Sequence, residues 1–208
     1  MTHALVTGTL TLMIISVVPP PVAWSQAAPA PKARPAAPIP AQRSLPDKGV
    51  VEGAVYKNPS IGIEFTPPPS LHLQEPEMKG TPDAVPMLIT VRAVADRGLL
   101  AGLFSGKSEC VFYADKLSYY PQDKRDASNY IQQVISAQAT NGFQHVGSLT
   151  TAQLSQASFL RADFEKGSAH EAVFVTTRDE FAFVLIFGAS DGGTTDKLIT
   201  STKLRITN

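Results

Sequence analysis

A single cysteine, Cys110, excludes an internal disulfide, so packing and hydrogen bonding must hold the chain together. Its neighbours Val111 and Phe112 predict a buried thiol that behaves as a small hydrophobe; an intermolecular disulfide or a reactive thiol is the sharper alternative. No basic cluster is present either. Lys32, Arg34 and Arg43 stand in the N-terminal tail and every acidic residue lies from Asp47 onward, which leaves 15 basic against 18 acidic side chains beyond the tail, a net of −3. Such a field does not hold nucleic acid or an anionic membrane, both of which need clustered Lys and Arg. Gly-x-Ser-x-Gly is missing, and His72, His145 and His170 lack the helical spacing of a metal pair. After residue 45 there is no apolar run long enough to cross a bilayer, no heptad and no internal repeat.

What is present begins with an address. Ala4 to Val18 is apolar and uncharged, and it stops at Pro19-Pro20-Pro21. Small residues then permit cleavage before Gln26 or before Ala28. The run reads as a secretory signal over residues 1–25, with an uncleaved membrane anchor as the alternative, although no Lys or Arg precedes Lys32. Residues 26–46 read as a Pro/Ala-rich disordered linker, since 9 of the 17 prolines fall between Pro19 and Pro46 with few large apolar residues among them. The expected destination is periplasmic or secreted, with no membrane span after cleavage.

Residues 47–208 read as one α+β domain. Val55-Tyr56 and Ile61 to Phe65 flank turn chemistry at Lys57-Asn58-Pro59-Ser60, and Met87 to Ala95 and Glu109 to Ala114 are further strand candidates. Asp126 caps a predicted helix whose stripe is Ala127, Tyr130, Ile131, Val134 and Ile135, and Asn141-Gly142 ends it. Three strands follow at Phe159–Lys166, Ala172–Thr177 and Phe181–Gly188. The last is apolar on both faces and therefore belongs in the middle of a sheet with both sides covered. Thr194 to Thr202 reads as a closing helix, with Leu204 and Ile206 as a final strand or packing edge.

Tyr56-Lys57-Asn58, Gly62-Ile63-Glu64-Phe65 and Pro67 resemble the opening of PsbP-like domains, and the order of elements from about Val50 to Ile206 is similar too. The resemblance implies an antiparallel β-sheet covered by helices on both faces, an α/β/α sandwich, and mostly binding or assembly roles. It carries over no metal or chloride ligand.

Other constellations are weaker. Ala101 to Ser108 fits a relaxed phosphate-loop pattern, but the flanking residues do not supply the strand-to-helix setting that cradles phosphates. Ser168, His170 and Asp163 could be drawn as a triad, yet strand alternation explains them as solvent-facing. Glu75 and Glu77, like Asp179 and Glu180, read as solvated charges. No catalytic, metal or cofactor residue is assigned. The candidate partner contacts are Leu99, Leu100, Leu103 and Phe104, which share a helical face between glycines, with Tyr119 and Tyr120 from the one aromatic-dense stretch. For each group, packing within the domain is the competing reading. The expected function is an exported, non-catalytic binding or assembly domain with an unidentified protein or envelope partner; the alternative is a small exported enzyme or ligand carrier.

Overall fold

The computed structural model describes residues 46–80, 88–95 and 108–207. The expected signal segment, the linker up to residue 45, and Leu99, Leu100, Leu103 and Phe104 lie outside the described residues, as does nearly all of the phosphate-loop-like string.

Two antiparallel sheets make up the domain. The smaller is built from β1 (Val50–Glu52), β2 (Val55–Asn58), β3 (Ile63–Thr66) and β12 (Lys203–Ile206), in the order β1-β2-β3-β12. The larger has eight strands: β4 (Leu71–Leu73), β5 (Glu77–Lys79), β6 (Leu88–Ala95), β7 (Glu109–Lys116), β8 (Gln144–Leu154), β9 (Ala157–Lys166), β10 (Ala169–Arg178) and β11 (Phe181–Ala189). Its order is β4-β6-β7-β11-β10-β9-β8, with β5 also on β6. Strands β8 to β11 form a meander whose closing pairs, Leu154↔Ala157, Lys166↔Ala169 and Arg178↔Phe181, leave two-residue turns. Ser155, Gly167 and Asp179 open those turns with positive φ, the conformation that matches the twist of the flanking strands.

Strand β11 lies between β7 and β10, and Leu185 faces Phe112 on one side and Phe174 on the other. The two-sided apolar pattern of Phe181 to Gly188 is thus explained by central placement with both faces covered.

The helices are α1 (Ala127–Thr140) and α2 (Gly192–Ser201). Each starts at an aspartate. Asp126 accepts a hydrogen bond from the Asn129 N–H at 2.9 Å, and Asp191 accepts one from the Thr194 N–H at 2.8 Å. Helix α1 buries Tyr130, Ile131, Val134 and Gln138 against β8, β9 and β10, where they meet Ala162, Phe164, Val173 and Val184.

The opposite face of the large sheet corrects the expected architecture. The fold is β-rich, and helices do not cover both faces of an α/β/α sandwich. That second face is roofed mainly by the small sheet, whose Tyr56 and Phe65 rings each lie 5.9 Å from the ring of Phe112, while α2 adds Leu198 at its margin. The cause is a non-local pairing. Strand β12 runs antiparallel to β3, from Lys203↔Thr66 to Ile206↔Ile63, and turns a short N-terminal hairpin into a sheet with its own apolar side. No helix among the described residues is long and apolar enough to cross a membrane.

Candidate functional site

Two buried acids lie on the α1 side of the large sheet. Asp115, near the end of β7, is 5% exposed, and its Oδ2 accepts hydrogen bonds from the hydroxyls of Tyr120 at 2.5 Å and Tyr130 at 2.7 Å. The rings of Tyr120 and Tyr130 meet edge-on at 5.8 Å, and Tyr113 stands two residues before Asp115 on β7. Burial pushes the Asp115 carboxyl above its ordinary range, and the two phenol donors pull it part of the way back. All three phenols are raised, first by burial. The assembly is a carboxylate clamp that ties α1 and the segment after β7 to the sheet. Among the described residues, Asp115 Oδ1 has no hydrogen-bond partner.

Glu171 on β10 is 7% exposed and takes a hydrogen bond from Gln138 Nε2 of α1 at 2.7 Å. Burial first, then the neighbouring Glu109, push its carboxyl up to about 7, with Lys166 opposing. Glu109 and Glu171 flank Gly188 in register across three strands, and a Cβ at Gly188 would lie 3.6 Å and 3.8 Å from their Cγ atoms. The two buried acids are far apart. Asp115 faces Ala182 while Glu171 faces Gly188, six residues along β11 and so about 20 Å at the usual strand rise. They cannot work on one substrate bond as a general acid–base pair.

The residues that carry the PsbP-like resemblance are structural here. Asn58, wholly buried, donates to the Asp47 carbonyl at 2.9 Å and accepts from the Ser60 N–H at 3.1 Å. The Tyr56 hydroxyl donates to the Lys48 carbonyl at 3.1 Å, and burial first pushes its pKa up to about 12. Gly62 stands at φ +68, where an added Cβ would come within 2.6 Å of the Thr207 carbonyl.

The imagined triad is taken apart by ion pairing. Arg161 binds Asp163 through Nε at 2.9 Å and Nη2 at 2.7 Å, whereas His170 faces Glu165 at 3.5 Å. Cys110 is wholly buried, and burial pushes its thiol well up. Tyr119 and Tyr120 do not share a surface. Tyr119 packs toward the small-sheet core and Tyr120 toward the α1 core. Two surface clefts, of about 210 Å³ beside Leu117 and Arg125 and about 310 Å³ between Thr176 and Leu204, have neither Asp115 nor Glu171 among their lining residues. In the first, Arg125 is already engaged with the carbonyls of Tyr120 and Ser118.

The surface feature with a chemical character of its own is the β8 edge. At 11 residues β8 is the longest strand described, and among the described residues it pairs only with β9. It contains no Asp, Glu, Lys, Arg or Pro, and ten of its residues in succession, Gln144 to Gln153, are exposed or half-exposed. The other edge strands have 3 or 4 residues and, β4 apart, carry Glu52, Glu77 with Lys79, or Lys203 with Arg205. Short length and charge are the usual protection of a free sheet edge, and β8 has neither. A signal in the sequence marks it: from Ala127 to Leu160, 34 residues pass without an Asp, Glu, Lys or Arg. That span is α1, β8 and the start of β9. Comparisons with protein families, with curated proteins and with solved structures find no match for this chain.

Proposed function

We propose that this protein is an exported, periplasmic or secreted, non-catalytic binding or assembly domain that works through the open edge of β8. The observation that carries the proposal is the contrast between that long, charge-free edge and the short or charged edges elsewhere. An unpaired edge offers a row of N–H and C=O groups, and strand addition is a common way to bind an extended partner. Depletion of charge is also what distinguishes the centre of a protein interface from ordinary surface. Export rests on the apolar segment at residues 4–18 and the small residues that follow it. The resemblance of the opening residues to PsbP-like domains points to the same kind of role. Each buried acid has one carboxylate oxygen engaged by side chains within the fold, which supports a structural use for them.

The test is capture of partners by the tagged, processed chain from its native envelope or secreted fraction, alongside a Thr151→Lys variant. A charge in the middle of the edge should abolish capture while the melting temperature stays unchanged. Equal recovery by both proteins would overturn the β8 reading.

A further inference from the structure

We infer that the partner of the β8 edge is a second copy of this chain, joined by antiparallel β8–β8 pairing about a twofold axis; this rests on the binding role proposed above. A twofold pairing sets each strand against itself, so any charge near the axis faces its own copy, and like charges directly opposite destabilise a sheet. Strand β8 meets that condition from Val146 to Leu154, a stretch without an ionisable side chain. Helix α1 rests on β8 and exposes uncharged side chains as well, among them Gln132, Ser136 and Ala139. An uncharged strand beside an uncharged helix surface has nothing to complement a charged partner, and it is compatible with itself.

The register narrows the contact. Strand β8 pairs with β9 regularly from Thr150↔Arg161 to Leu154↔Ala157, but between Val146 and Thr150 the ladder shifts around Gly147 at φ +73. A bulge bends a strand and interrupts its outer edge. The regular half, Thr150 to Leu154, is therefore where the two copies pair. Thr150, Thr151 and Gln153 are exposed there, and Thr–Thr contacts across strands are favourable.

The experiment measures the molar mass of the processed full chain by light scattering and sedimentation across a dilution series. It also follows oxidative cross-linking of single cysteines placed at Thr150, Thr151, Ala152 and Gln153; Cys110 is retained because it is wholly buried. A concentration-dependent doubling of mass is expected, with a disulfide-linked dimer from at least one of the four positions. Thr151→Lys should weaken dimerisation about tenfold or more without lowering the melting temperature. A dimer that neither responds to Thr151→Lys nor cross-links through these positions would overturn the proposal. A chain monomeric throughout would overturn it too. If that monomer still loses a different envelope partner on Thr151→Lys, the binding role survives and only the second copy is excluded; if Thr151→Lys changes no capture, both readings fall.

Discussion

Glu171 and Asp115 are where single side chains govern stability. For Glu171 the folded pKa of about 7 lies above the ordinary 4.5, so folding takes up a proton between those values. Its contribution is best below about pH 4.5 and is lost as the pH rises through 7, a difference of about 3 kcal/mol. Asp115 shifts in the same direction. The melting temperature should therefore rise from pH 8 to mildly acidic pH. Glu171→Gln, which keeps an acceptor for Gln138, should flatten that profile and melt higher than the parent chain at pH 8; an unchanged profile would count against the burial account. Removing a donor from Asp115 acts the other way. Tyr130→Phe should cost about 1–3 kcal/mol at neutral pH, measured by chemical denaturation, and less in acid, where the protonated carboxyl needs the phenol less.

Elements depend on a few positions where backbone geometry leaves no choice. The turn from β2 to β3 passes through a 3-10 segment, Pro59–Ile61, which Asn58 caps and Gly62 ends in the left-handed region. Gly62→Ala would meet both a positive φ and the Thr207 carbonyl at 2.6 Å. A loss of about 1–2 kcal/mol from the backbone alone is expected, with more from the clash, and amide exchange should speed up in β3 and β12 before the large sheet responds. Strand β8 shows the opposite case, an element that sequence patterning does not reveal. Its apolar residues Val146, Leu149, Ala152 and Leu154 are spaced three, three and two apart and the bulge breaks its alternation, so no sustained period-two signal marks it as a strand. Strands β9, β10 and β11 were legible because each buries at least one continuous face.

At the scale of the whole molecule the stability centre is the contact between the two sheets, where Phe112 meets Tyr56, Phe65 and Phe183. Truncating a fully buried aromatic at such a junction typically costs about 3–5 kcal/mol. Phe112→Ala is expected to fall in that range and to loosen the small sheet along with the large one in hydrogen exchange. Strand β11 should remain among the most protected segments, because it is hydrogen-bonded on both edges and covered on both faces. Fast exchange across β11 would contradict the topology.

By itself the sequence determined what short-range physics can specify: the Asp126 cap and apolar stripe of α1, the three strands after Phe159 with their tight turns, and the central place of the strand at Phe181. Each follows from periodicity and turn chemistry within about a dozen residues. The burial of Cys110 was legible in the same way, from its immediate neighbours. Tertiary structure alone decided that Ile206 pairs with Ile63, and so that a second sheet rather than a helical layer covers one face. It also decided that Asp115 receives Tyr130 from 15 residues away, and Glu171 receives Gln138 from 33 away. It sent the adjacent Tyr119 and Tyr120 into different cores. These choices are settled by which distant surfaces bury the most apolar area while leaving the fewest buried polar groups unpaired, a sum over the whole chain that no local pattern contains.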